Sequence, residues 1–149
     1  MEKIIKPIIR IFSSFQDFSL LIVRLILAYG FYGPAMKKLN DFQAVQEWFR
    51  DSLHLPFPHL NAVLAVTTEV SGVILIFLGL MTRFISLPMM VVMVVAIATV
   101  HWSNGFHASN NGFEIPLYYM IMLFVLLSTG PGKFSLDETI FKKYFGTDK

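Results

Sequence analysis

Arg24 and Glu69 are ionisable side chains set inside long apolar runs, Phe18 to Leu39 and Leu60 to Leu80. An ionised group near the centre of a bilayer costs about 2.5–3.5 kcal/mol on insertion scales, so such residues turn toward a helix-bundle interior and toward partners. At 1.5 Å of rise per residue, Arg24 lies about 10 Å and Glu69 about 16 Å from the cytoplasmic edge, near enough for a long side chain to bridge. Helical side chains lean toward their own N-terminus, however, which on antiparallel helices draws these two apart. Glu69 therefore has Arg24, Lys38 and His101 open to it as partners.

Steps of 100° per residue put Lys38 about 40° from Arg24 and Lys37 about 140° away, which makes Lys38 the inward lysine. At the same level stand His101, at the end of one apolar run, and Glu114, at the start of the next, with Tyr118 one turn deeper on the face of Glu114. These residues form a polar pocket in which Glu69 and His101 exchange protons and Arg24, Lys38, Glu114 and Tyr118 hold a ligand, Lys38 or His101 donating to a carbonyl. The structural alternative is an internal ion-pair network that only joins helices. His101, His107 and Glu114, with His54 or His59, match no standard metal-ligand spacing, and no metal is expected.

The elements that position these residues follow from composition. Of 149 residues, 55% are apolar and 15% charged, with a mean hydropathy of +0.62, beyond ordinary globular usage. Crossing a ~30 Å hydrocarbon core takes about 20 helical residues. Four windows approach that length, approximately 18–39, 60–80, 84–101 and 113–129, so residues 1–149 read as one all-α domain, an integral membrane four-helix bundle with short interfacial helices at the termini. Residues 133–146 suit a cytoplasmic interfacial helix, because Ser135 and Glu138 have capping-box spacing and Ile140, Phe141, Tyr144 and Phe145 alternate with Lys142 and Lys143. Lys3 to Phe15 suits a second, weakened by Pro7. Trp102 reads as an interfacial anchor, and Trp48 with Phe49 as packing the connecting loop against headgroups.

Basic residues set the orientation. Lys3, Lys6, Arg10, Arg83, Lys133, Lys142, Lys143 and Lys149 flank one side and Lys37, Lys38 and Arg50 the other, which places both termini in the cytoplasm. A net charge of +2 without a basic stripe excludes nucleic acid as a partner. The lack of cysteine removes thiolate nucleophiles, CxxC redox pairs and cysteine-ligated clusters.

Six motifs then occur in order: the Arg24-bearing run ending at Gly33 to Leu39 with its Lys-Lys-Leu, Glu69-Val-Ser-Gly72, Gly79-Leu-Met-Thr-Arg83, Val100-His101, Gly-Phe-Glu114, and Gly130-Pro-Gly-Lys-Phe-Ser-Leu-Asp137. Over nearly its whole length the chain resembles the DoxX family of small four-helix bacterial and archaeal membrane proteins. The resemblance implies a place in redox-associated complexes of the inner membrane. Relatives are linked to thiosulfate oxidation with delivery of electrons to quinone, and to oxidative-stress complexes with superoxide dismutase and a sulfurtransferase. The expectation is a quinone-interacting subunit of a membrane oxidoreductase, with quinone as cofactor. Its expected partners are the lipid bilayer, a soluble oxidoreductase or sulfurtransferase subunit, and a second copy of itself in a homo-oligomer. A small transporter or ion conduit, and a scaffold for a soluble redox partner, are the competing readings.

Overall fold

The computed structural model describes residues 2–145, with side chains from Phe15 to Tyr144. The basic side chains Lys3, Lys6, Arg10 and Lys149, and residue 146 at the expected end of the last helix, lie outside that range. The described chain is all-helical, and three of its helices are long and apolar enough to cross a membrane. They belong to α1 (Glu2–Asn40), α3 (Pro58–Leu78) and α4 (Thr82–Ala96), the last continuing to Asn104 through a π turn at Ile97–His101 and a 3-10 turn. A fourth apolar helix, α5 (Glu114–Thr129), has 16 residues, about 24 Å of rise and so short of the usual span. The N-terminal stretch and the first connecting loop differ from expectation. The N-terminal stretch is not a separate interfacial helix but continues backbone-helical into α1 through Pro7, and the connecting loop contains a helix of its own, α2 (Phe42–Asp51). The last helix is α6 (Leu136–Phe145).

Each long helix buries one stripe at helical spacing. On α1 it is Leu20, Arg24, Leu27, Ala28, Phe31 and Ala35, on α3 Ala62, Val66, Glu69, Gly72 and Ile76, and on α4 Thr82, Ser86, Met89 and Met93. Apolar residues such as Ile26, Ile74, Phe77, Val91 and Phe124 cover the outside, where lipid is the natural solvent. Helix α1 packs chiefly on α3 and α4 chiefly on α5, and α3 joins the two pairs. Gly72 lets α3 approach α4, since a Cβ there would sit 2.5 Å from Met89 Sδ.

The end of the bundle that carries α6 is knotted by polar groups. Arg24, only 1% exposed, donates from Nε to Ile76 O (2.9 Å), from Nη2 to Phe77 O (2.7 Å) and from Nη1 to Phe134 O (2.7 Å) and Pro131 O (3.2 Å). The α3 C-terminus leaves its last carbonyls without helical partners, and a planar guanidinium serves several at once. Asp137 accepts from the N–H groups of Met81 (2.8 Å) and Thr82 (3.1 Å), so a residue of α6 caps the start of α4. Ser135 accepts from the Glu138 N–H (3.3 Å), the cap expected from the sequence, and Lys133 pairs with Asp17 at 2.9 Å.

Candidate functional site

At the opposite end of the bundle, the inward stripe of α1 ends on Lys38, a quarter exposed, while Lys37 faces out. Lys38 Nζ meets Glu69 Oε1 at 2.5 Å, and Glu69 is 2% exposed. Of the three partners open to Glu69, the fold supplies Lys38. Glu69 sits on the buried stripe of α3, two turns below Ala62, so its register on that helix forces the carboxylate inward. Its second oxygen, Oε2, is buried with no hydrogen-bond partner. A carboxylate so placed is stable only beside a cation, and the short charge-assisted contact to Lys38 provides it.

Lys38 also forms part of the wall of a cavity of about 490 Å³. Trp48, Phe49, Leu53, Leu55 and Pro56 roof it from α2 and the following turn, Leu64, Ala65 and Thr68 come from α3, and Val91, Val95 and Thr99 from α4 and its π turn. Leu64, Val91 and Val95 are at once cavity lining and exposed surface, so the space opens between α3 and α4 onto the lipid-facing side. The roof is held by a small second core in which Val45 and Phe49 pack on Ala62. Phe49 thus faces protein and not headgroups, a correction that follows from the strong two-sidedness of α2. The turn after it contains His54 and Phe57 in left-handed backbone, φ 50° and 51°, and the α4 wall changes from α to π pitch beside the cavity, a feature common near functional sites.

The remaining expected site residues lie elsewhere. Arg24 is committed to the carbonyl knot at the far end, 14 residues and about 21 Å of helix from Lys38, and does not join the pocket. His101, Glu114 and Tyr118 brace the loop between α4 and α5. His101 Nδ1 lies 2.7 Å from Asn111 O, Glu114 accepts from the Ala108 N–H (2.9 Å), and Tyr118 Oη donates to Glu114 (3.2 Å). None of the three lines the cavity, and no contact joins His101 to Glu69. The Glu69–His101 exchange expected from shared depth fails because the π turn and the loop direct the imidazole toward backbone. Trp102 stacks on Phe113 at 5.4 Å in the same loop. Among the described residues no three His, Asp or Glu side chains are placed to share a metal ion. Trp48, Thr68 and Thr99 were missed as cavity residues. The amphipathic pattern of Phe42 to Asp51 was the signal that could have found the roof.

The chain's place among known proteins agrees with its architecture. The sequence profile described as DoxX matches residues 19–102, from the first span through the π turn. The chain belongs to the DoxX family. A protein of Haemophilus influenzae, named only as uncharacterized, is 34% identical to it over 133 residues, covering 85% of each chain. A second from the same organism, named likewise, is 27% identical over 134 residues, 88% of this chain and 97% of the relative. No solved structure matches the chain. The DoxX match contains Arg24, Lys38 and Glu69, and thus both the structural guanidinium and the buried pair, but stops short of Glu114 and Tyr118.

Proposed function

We propose that this DoxX protein is a quinone-binding subunit of a membrane oxidoreductase, sited in the cytoplasmic membrane with both termini in the cytoplasm. The observation that carries the reading is a buried ion pair whose lysine is the charged group of a mainly apolar cavity, also lined by Asn61, Thr68 and Thr99, that opens toward lipid. The residues fit such a ligand. About 490 Å³ falls within the common range for small-molecule sites, the walls suit a ring and the start of an apolar tail, and lipid access suits a molecule dissolved in the bilayer. Lys38 has three N–H donors and gives one to Glu69, leaving donors for a carbonyl.

A bound quinone supplies a two-electron, two-proton couple. Lys38 binds and orients its carbonyl and holds the proton nearest to it. Glu69 fixes Lys38 in place through Oε1 and leaves its buried Oε2 without a hydrogen-bond partner beside the ligand's donor. The apolar roof excludes water. In this reading the electrons come from a soluble partner, for which the family resemblance suggests the oxidoreductase or sulfurtransferase type.

Trp48 lines the cavity and Trp102 does not, which gives a direct reporter. In nanodiscs containing the Trp102→Phe protein, a short-tailed quinone analogue is expected to quench Trp48 saturably. Lys38→Met and Glu69→Gln weaken that binding, and His101→Ala leaves it unchanged. Quenching that never saturates and is alike in all four proteins would discard the quinone reading.

A further inference from the structure

The electrostatics of the cavity narrow the class of ligand. Among the described residues Lys38 is the only charged side chain in its lining, and its charge is already matched by a carboxylate at 2.5 Å. Other charged groups at this end are engaged away from the cavity. Arg50 forks onto Asp51 (2.7 and 3.0 Å), Asp41 accepts from the Ala44 N–H (3.2 Å), Glu47 accepts from the Gln43 amide (3.1 Å), and Lys37 is exposed. The cavity therefore presents a dipole, ammonium end first, with no net charge.

An anionic headgroup entering apolar walls loses its hydration and needs a full countercharge in return. Lys38 offers only a share of one, because Glu69 repels the same anion through the pair. A neutral carbonyl or ester oxygen gives up far less hydration and is well served by the free hydrogens of Nζ. Thr68, next to Glu69 and on the cavity wall, has a hydroxyl with no hydrogen bond among the described residues, a second polar contact of the neutral kind.

We infer that the Lys38–Glu69 pair makes this cavity select uncharged, carbonyl-bearing amphiphiles and reject anionic ones of equal length, with Glu69 as the specificity-determining residue. The inference rests on the cavity's being the ligand site proposed above, and it holds whether or not the ligand is redox-active. Lys38 alone would attract anions such as fatty-acid and phosphate headgroups, which abound in the surrounding lipid. Glu69 removes that attraction while keeping the donor.

The test uses two probes with one tail, an ω-bromoalkyl methyl ester and the ω-bromoalkyl sulfonate of the same length, whose bromine quenches tryptophan on contact. They are titrated into nanodiscs of uncharged lipid containing the Trp102→Phe protein, and Trp48 emission is followed. The ester is expected to quench saturably and the sulfonate only in proportion to its partition into lipid. Glu69→Gln, which leaves Lys38 a net cation, is expected to bind the sulfonate about ten-fold or more tightly than its parent does. Sulfonate binding equal to or stronger than that of the ester in the parent overturns the inference, as does a Glu69→Gln protein with an unchanged ratio, or the lack of saturable ester quenching. The parent's own preference decides the matter if Glu69→Gln does not fold. A quinone analogue that fails where the ester succeeds removes the quinone reading alone; one that binds while the sulfonate competes equally removes charge selection alone.

Discussion

Two ion pairs and one arginine held by backbone carbonyls differ in worth according to their surroundings. Arg50 and Asp51 make a forked contact in full solvent exposure. The guanidinium holds the Asp51 carboxyl below its ordinary range, so its contribution is present above the ordinary carboxylate pKa and fades as pH falls through the lowered value. Water and salt screen that contact, and Asp51→Asn is expected to leave the thermal midpoint in detergent unchanged within error. Lys38 and Glu69 are another matter. Removing one partner of a buried pair costs about 3–5 kcal/mol, and the exposed quarter of Lys38 puts Lys38→Met near the low end, about 3 kcal/mol. Adding Glu69→Leu to Lys38→Met restores most of that loss, because no buried charge is then left alone; unfolding in mixed micelles, run as a double-mutant cycle, measures both. Arg24 has no acidic side chain in hydrogen-bonding contact among the described residues, yet four carbonyls receive it. Arg24→Lys keeps the charge and loses the fork, and a drop of about 2–4 kcal/mol in the same assay is expected, whereas a purely electrostatic role predicts none.

Helix ends decide more here than helix middles. Gly79 closes α3 with φ 66°, and a Cβ there would also fall 2.6 Å from Arg24 Cζ and from Ser135 Cβ. Gly79→Ala therefore combines left-handed strain with a collision against packed groups, and a loss of about 2 kcal/mol or more is expected in the micelle assay. Asp137→Ala, which uncaps α4 from α6, is expected to cost about 1 kcal/mol. These joints explain what the sequence conveyed and what it did not. Apolar runs and their periodicity place the long helices within a few residues, and the 100° step singles out Lys38 over Lys37. Trans-capping by Asp137 and carbonyl chelation by Arg24 depend on backbone groups of distant segments, which carry no side-chain signal. The roof α2 is short and half polar, so it has neither the length nor the hydropathy by which a membrane span stands out in the sequence.

At the scale of the whole molecule, three helices long and apolar enough to cross a membrane and a shorter α5 divide the protein into a knotted end and a cavity end. The chain has no cysteine, so single replacements report cleanly. In intact cells Asn110→Cys is expected to react with a membrane-impermeant maleimide and Lys142→Cys only after lysis; the reverse pattern would invert the proposed orientation, and equal access would mean that α5 does not cross. The knotted end also imposes an order in time. Arg24 emerges from the ribosome with the first helix, but two of its four carbonyl partners follow 107 and 110 residues later. At about 5–20 residues per second that is a wait of roughly 5–20 s with a guanidinium in a nascent span and no completed cage around it. A chain broken before Pro131 never completes the cage, so unfinished copies carry an arginine in the span with only the two α3 carbonyls around it.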